Sequence, residues 1–152
     1  MINFEQYLAE RSIPGKLNII KIKVTEDELR QMVKNKDSGI ADVDVSEVTN
    51  MKELFKDSDF GGSWTADLSG WDTSNVENMW SMFRDCTRLT NVSLPHTESV
   101  TNMSWMFGGC TNLTKVELPG TENVKSMYMM FYGCTSLTKV ELYNHKTSYT
   151  YS

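Results

Sequence analysis

Three cysteines, Cys86, Cys110 and Cys134, are the residues whose type and spacing first suggest chemistry, because they lie 24 residues apart. In a short secreted protein such a set predicts a disulfide framework. Here a column of buried thiols, packed as small apolar groups, is the favoured interpretation because the chain shows no export signal. A zinc site would need a fourth ligand in a tetrahedral arrangement, which a linear column does not provide. We therefore predict no metal site and no cofactor.

The candidates for acid-base or nucleophilic chemistry are His96, His145 and the many serines and threonines. His96 falls in a predicted loop and His145 in the C-terminal tail, and neither has an obvious triad spacing. The hydroxyl residues recur in columns, as in "CTRLT", "CTNLT" and "CTSLT". Catalytic residues would break the period of a scaffold, and none does so here. We predict that the protein is not an enzyme.

The cysteine spacing belongs to a 24-residue sequence unit that occurs three times in full. Each unit opens on a valine and continues through two methionines, a phenylalanine, a cysteine and two leucines. The aligned columns are Val76, Val100 and Val124; Met79, Met103 and Met127; Met82, Met106 and Met130; Phe83, Phe107 and Phe131; Leu89, Leu113 and Leu137; and Leu94, Leu118 and Leu142. A fixed period of this length predicts a repeat architecture.

An earlier, less regular copy occurs in "IADVDVSEVTNMKELF". Its phenylalanine, Phe55, precedes Phe83 by 28 residues, four more than the period. The extra residues fall in "DFGGSW" and "SGWDTSN", both of which predict loops. The core columns therefore continue through this copy.

Each unit predicts a short helix followed by a strand. Apolar residues at V, V+3, V+6 and V+7, counted from the first valine, lie on one side of a helical wheel. Ser74 and Glu77 form a capping box, and Asp85, Gly109 and Gly133 occupy a left-handed C-cap position. The following L-x-x-V-x-L segment has the period of a strand. Because such units bury their apolar faces only by stacking, we predict an α/β repeat solenoid of four to five rungs.

The units resemble the BspA-type leucine-rich repeats, also described as the bacterial surface protein repeat of mycoplasma-like lipoproteins. The resemblance runs from about Ile40 to Leu142 and is carried by "WDTSNVENMWSMFRDCTRLTNVSL", "TNMSWMFGGCTNLTKVEL" and "SMYMMFYGCTSLTKVEL". It implies a curved leucine-rich-repeat solenoid with a binding role and without enzyme activity.

The two ends of the chain do not fit the repeated unit. We predict a single domain with three segments: an N-terminal cap (1–39), the solenoid (40–142) and a polar tail (143–152). The cap predicts a helix over "FEQYLAER", a strand over "KLNIIKIKV" and a helix from "TEDELRQMVKN", where Thr25 and Glu28 form a capping box. An alternative makes this segment the functional part. At the other end, the uncovered last strand predicts pairing with a second copy or a partner segment; a frayed polar tail is the alternative.

Charge and hydropathy exclude two classes of partner. The formal net charge is −5 and the sequence pI is near 5.0, unlike the basic footprint of a nucleic-acid-binding protein. The segment "MINFEQYLAERSIPGK" lacks the features of a secretory signal, and no apolar run reaches membrane-spanning length. We therefore predict a cytoplasmic protein without nucleic-acid or membrane contacts.

Two surface patterns predict partner-binding residues. Asp44, Asp67, Glu117 and Glu141 fall in one outward column of the strands, where they would form an acidic stripe that steers a basic partner. A lysine column beside it leaves solubility as the alternative. On the predicted helices, outward positions place aromatic and methionine side chains together, unless distortion of the short helices turns them inward. These residues are Trp80, Trp105, Tyr128 and Met129.

The sequence therefore predicts a non-catalytic protein-protein interaction module on a leucine-rich-repeat scaffold. Its partner is another protein, with a homodimer through the C-terminal rung as a further possibility. One alternative is a small acidic inhibitor of a host nucleic-acid-targeting defence enzyme, made by a phage or mobile element, such as an anti-CRISPR. Another is a fragment of a bacterial surface or adhesion protein.

Overall fold

The computed structural model describes residues 21–143 together with Glu5, Gln6 and Ala9. Its regular elements are α1 (Glu26–Lys34), the 3-10 helices η1 (Ser38–Asp42) and η2 (Leu68–Gly70), and the strands β1 (Asn91–Ser93), β2 (Lys115–Leu118) and β3 (Lys139–Leu142). Most of the helix predicted over residues 4–11 lies outside the described residues, and those of its residues that are described are helical. All of the tail except Tyr143 also lies outside them.

The helix α1 forms where its sequence predicts. Thr25 Oγ1 accepts a hydrogen bond from the Glu28 N–H (3.2 Å), and Glu28 Oε2 accepts one from the Thr25 N–H (2.7 Å). This capping box satisfies two donors of the first turn. Leu29 and Met32 on the inner face are buried in the main hydrophobic core. The strand predicted just before α1 is reduced, in its described residues, to a single parallel bridge between Lys23 and Asp44.

The three strands form one parallel sheet in the order β1-β2-β3. Their register joins residues 24 positions apart in the sequence, so that Val92 lies beside Val116 and Val116 beside Val140. Val92 and Val116 are buried, and the residues before and after each of them are more exposed. The expected period of two is therefore confirmed for β1 and β2, whereas burial does not alternate along β3.

The predicted solenoid of four to five strand-and-helix rungs is wrong. Residues 21–143 contain one α-helix, which lies before the repeated sequence units, and one open sheet of three short strands. The segments 43–45 and 65–67, expected to supply earlier strands, form no strand.

Left-handed residues explain why the predicted short helices are missing. Ser81 (φ 54°) and Asp85 (φ 59°) interrupt the first full unit, and a right-handed helix cannot continue through such φ values. The N–H groups of alternate residues also point away from their own segment. Those of Met79, Ser81, Phe83 and Asp85 donate to the carbonyl groups of residues 102, 104, 106 and 108. Of the intervening N–H groups, those of Met82 and Arg84 bond three residues back, as in turns, and that of Trp80 donates to Asn78 Oδ1 (2.9 Å).

The predicted capping box of Ser74 and Glu77 does not form, because both residues bond to other partners. Ser74 Oγ donates to Asp72 Oδ1 (2.6 Å), and the Glu77 N–H donates to the Thr49 carbonyl (2.8 Å). The left-handed conformation predicted for Asp85, Gly109 and Gly133 is confirmed, although no α-helix ends at these residues.

A stack of phenylalanine rings runs through the core. The centroids of Phe55 and Phe83 are 5.2 Å apart, those of Phe83 and Phe107 5.5 Å, and those of Phe107 and Phe131 5.8 Å. The rings are parallel to within 4°, and centroid separations above 5 Å are typical of offset stacking. Buried methionines and the three cysteines surround the stack.

Candidate protein-binding surface

Four side chains form an exposed patch that we call the aromatic surface: Trp105, Tyr128, Met129 and Tyr132. Tyr128 is 63% exposed, Tyr132 61% and Met129 38%, whereas Trp105 is half-buried. Both tyrosine rings meet the Trp105 ring at steep angles, with centroids 6.4 Å and 5.5 Å away. Aromatic residues and methionine in such a cluster are typical of the centre of a protein interface.

The backbone places Trp105 at the surface. Its φ of 59° is left-handed, and its N–H donates to the Tyr128 carbonyl (2.9 Å). The same position of the third unit, Met129, also has a left-handed φ of 51°. Position V+5 therefore lies in a tight turn rather than in the predicted helix. Trp105 is half-buried there and Met129 exposed, whereas Ser81 at the same position of the first full unit is buried.

Side chains from both neighbouring units hold the Trp105 ring. The Arg84 guanidinium lies 4.4 Å from the ring centroid in a cation-π contact, and Tyr132 lies edge-on to the same ring. Beneath the ring is Gly108, where an added Cβ would come within 2.7 Å of Trp105 Cε3. The glycine therefore leaves the space that the indole occupies.

Three residues of this region were not predicted from the sequence: Tyr132 of the aromatic surface, and Arg84 and Gly108, which contact the Trp105 ring. All three occupy position V+8, one residue after the core phenylalanine. In an α-helix this position follows V+4 on the same flank, so the outward column at V+4 was a signal that could have found them.

Trp80 lies apart from this cluster. Its ring is half-buried and receives a cation-π contact from Lys52, whose Nζ is 5.2 Å from the ring centroid. None of the ring contacts among the described residues joins Trp80 to Trp105. The structure therefore brings Trp105 and Tyr128 into ring contact, with the exposed Met129 next to Tyr128 in the chain, and places Trp80 beside Lys52 instead.

The four predicted acidic residues occupy two different settings. Glu117 and Glu141 lie side by side on the sheet, and each forms an ion pair of 2.8 Å with the lysine two residues before it. Hydrogen bonds from Lys139 and from the Tyr143 hydroxyl lower the Glu141 pKa to about 2. Because lysines accompany these carboxylates, this part of the column is close to electrically neutral.

The other two acidic residues stabilise turns outside the sheet. Asp44 Oδ1 accepts a hydrogen bond from the Ser46 N–H, and Asp67 Oδ1 accepts one from the Ser69 N–H, both at 2.9 Å. Hydrogen bonding by the Ser46 and Ser69 side chains, together with these N–H bonds, holds the pKa of both carboxyl groups below the usual value. Asp44 and Asp67 therefore do not continue the column formed by Glu117 and Glu141.

The three cysteines are free thiols buried in the core. Each Sγ donates to a phenylalanine carbonyl at 3.0 Å: Cys86 to Phe55, Cys110 to Phe83 and Cys134 to Phe107. Burial raises the pKa of Cys86 to about 12 and that of Cys134 to about 11. At neutral pH these side chains are protonated donors rather than nucleophiles.

The remaining chemical candidates are dispersed. His96 is exposed and lies 3.4 Å from Glu98 Oε1, whereas His145 is outside the described residues. Within the described part of the chain, no group of three or more histidine, cysteine or acidic side chains is arranged to hold a metal ion. No helix in this part of the chain has the length and apolar character needed to cross a bilayer.

Comparison with known proteins places the chain in one family. No curated protein and no solved structure matches it. Residues 27–144, which include the full 24-residue units and the aromatic surface, match the family described as "Mycoplasma protein of unknown function, DUF285". Because the match covers more than half of its length, the chain belongs to that family.

Proposed function

We propose that the protein is a non-catalytic protein-binding module that contacts its partner through the aromatic surface. The observation that carries this proposal is the pair of tyrosines, each more than 60% exposed, around a tryptophan held by Arg84 and Tyr132. Removing a large aromatic side chain from water is favourable, so a partner that covers these exposed rings gains binding free energy. Because the Trp105 ring is already held by its neighbours, binding costs little ordering of that side chain.

The acidic residues contribute less to this proposal than the aromatic ones. Glu117 and Glu141 are both paired with lysines, so they present alternating rather than uniform charge. Rim charges of this kind affect association rate and salt dependence more than affinity.

A test of the proposal compares capture of partner proteins from a host lysate by tagged wild-type protein, Trp105→Ala and Tyr128→Ala. The control is Tyr143→Ala, which removes an exposed tyrosine from the C-terminal side of β3. We expect wild type and the control to retain the same partner, and both aromatic-surface variants to lose it by at least about tenfold. Equal capture by all four proteins would place binding elsewhere.

The same experiment separates binding from folding. Trp105 and Tyr128 lie outside the buried core, so their alanine variants should keep the wild-type far-UV circular dichroism spectrum. A variant that has lost its fold would not count as evidence for the interface. Selective loss of capture by the Tyr143→Ala variant would instead favour the predicted homodimer or partner strand at the β3 edge.

A surface or adhesion role is a second candidate, suggested by the resemblance of the repeated units to BspA-type repeats. The matched family is described as a Mycoplasma protein of unknown function. The repeated units resemble BspA-type repeats of bacterial surface proteins. We propose that this chain's 24-residue units are related to those repeats. Protease treatment of intact cells that make the protein tests the surface role. Digestion of the protein without cell lysis would support that role, and complete protection from digestion would contradict it.

A further inference from the structure

A cleft of about 510 Å³ lies beside β1 and shares no residue with the aromatic surface. Segment 65–68 forms one wall and β1 the other, with Phe60, Gly61 and Leu89 among the residues between them. The four residues by which the first copy exceeds the 24-residue period flank this segment. Where the period predicts another strand beside β1, the chain instead forms an irregular segment that leads into η2.

Among residues 21–143, no strand pairs with β1 along the edge that faces the cleft. The Thr90 carbonyl accepts a hydrogen bond from Thr114 N–H (2.8 Å), and the Leu94 N–H donates to the Glu117 carbonyl (3.3 Å), so both residues bond toward β2. In a parallel strand, alternate residues direct their backbone groups to the same neighbour. The backbone N–H and C=O groups of Asn91 and Ser93 are therefore directed away from β2, into the cleft.

Both ends of the opposite wall are held in place. Gly61 (φ 93°) packs so closely on Leu89 that an added Cβ would lie 2.7 Å from Leu89 Cα. The adjacent Phe60 stacks on Phe55, with centroids 4.3 Å apart. At the other end Asp67 caps η2 through the Ser69 N–H. The cleft is thus formed before any ligand arrives, as is usual for binding sites.

The size and lining of the cleft suit a short extended peptide. Typical strand rise, strand spacing and sheet separation give roughly 160 Å³ per residue, so the cleft holds roughly three residues, the length of β1. Ala66, Leu68 and Val92 supply apolar wall, and Asp67 is the one ionisable side chain among the described lining residues. Its carboxylate is exposed and would attract a cation.

We propose that this cleft binds an extended peptide segment of a partner protein by strand addition to β1. Main-chain hydrogen bonds to Asn91 and Ser93 hold the peptide, its alternate apolar side chains enter the cleft, and a lysine or arginine side chain lies beside Asp67. Strand addition at an open sheet edge derives affinity from the backbone and specificity from alternate side chains.

The test selects peptides from a phage-displayed library of random dodecapeptides on the full-length protein. Enriched sequences should alternate apolar residues with at least one lysine or arginine. For the synthetic peptides, Asp67→Asn and Ser93→Pro should each weaken binding by about tenfold or more in calorimetry. The asparagine amide still offers an acceptor for the cap of η2, and proline removes a donor that β1 does not use toward β2.

Matched controls keep the test decisive. Ser93→Ala retains the backbone N–H and should bind normally, and Trp105→Ala should also bind normally because it alters only the aromatic surface. If Ser93→Pro fails to fold, peptides N-methylated at alternate residues test the same main-chain bonds. Peptides whose binding is lost in Trp105→Ala but kept in Asp67→Asn, or a library without enrichment, would overturn the proposal while leaving the proposed function standing.

Discussion

Among single residues, Phe55, Phe83, Phe107 and Phe131 form a regular ring stack through the core. Phe107 is fully buried between two parallel neighbours, whereas Phe131 at the end of the stack is only partly buried. Each contact adds about 0.5–1.5 kcal/mol to the stabilisation from burial. The core phenylalanine column, identified from its 24-residue spacing, is therefore the best-predicted feature of the chain.

Phe107→Ala should lower the free energy of unfolding by about 3–5 kcal/mol, because it removes a buried aromatic ring and leaves a cavity. Urea denaturation followed by circular dichroism measures this change. Phe131→Ala is the matched control and should lose less, since its ring is only partly buried. Equal losses in the two variants would contradict the burial difference.

The cysteines should react slowly in the folded protein. At pH 9 about half of the unfolded thiols are thiolate, whereas a pKa of about 11 leaves about 1% at Cys134 and less at Cys86. Iodoacetamide at pH 9 should therefore alkylate the native protein at least about 50-fold more slowly than the urea-unfolded protein. Three free thiols should be counted after unfolding without reductant; fewer would indicate a disulfide.

The same pKa differences have a defined effect on stability. Because the folded thiols have raised pKa values, the unfolded chain releases their protons first as the pH rises above about 9. The stabilising contribution is complete below that pH and is lost as the pH rises through about 11 to 12. Replacing Cys134 by alanine should make stability less dependent on pH between 9 and 11.

At the scale of elements, α1 and the strands follow from local sequence, whereas the turns between the strands do not. Thr25 and Glu28 identify the start of α1, and alternating burial identifies β1 and β2. The apolar spacing of each unit fits a helix equally well, but Ser81 and Trp105 take left-handed φ values that no local pattern requires. Hydrogen bonds to residues 23 positions away compensate for that conformation, and such partners are not visible within one unit.

The cap of α1 is independently testable. Thr25→Ala should lower the free energy of unfolding by about 1 kcal/mol, because it removes the side-chain acceptor for the Glu28 N–H. Thr25→Ser keeps that acceptor and should stay close to wild type in the same urea titration. A loss shared by both variants would show that the methyl group of Thr25, rather than its hydroxyl, stabilises this end of the chain.

At the scale of the whole molecule, two surfaces with different chemistry stand out. The aromatic surface offers large apolar rings, and the β1 cleft offers a strand edge and one carboxylate. From the sequence, the outward columns predicted one patch of Trp80, Trp105, Tyr128 and Met129, and Trp80 lies apart from the other three. Tyr132 was not predicted because its position depends on the turn geometry. The cleft was not predicted because the four additional residues indicated only loops.

The most direct test of the central claim, that the aromatic surface contacts a partner protein, is site-specific photocrosslinking in host cells. A photoreactive phenylalanine analogue replaces Tyr132 or, as a control, the exposed Gln31 of α1. We predict a defined crosslinked partner from position 132 that is lost when Trp105→Ala is added, and none from position 31. No crosslink from position 132, or the same product from both positions, would contradict it.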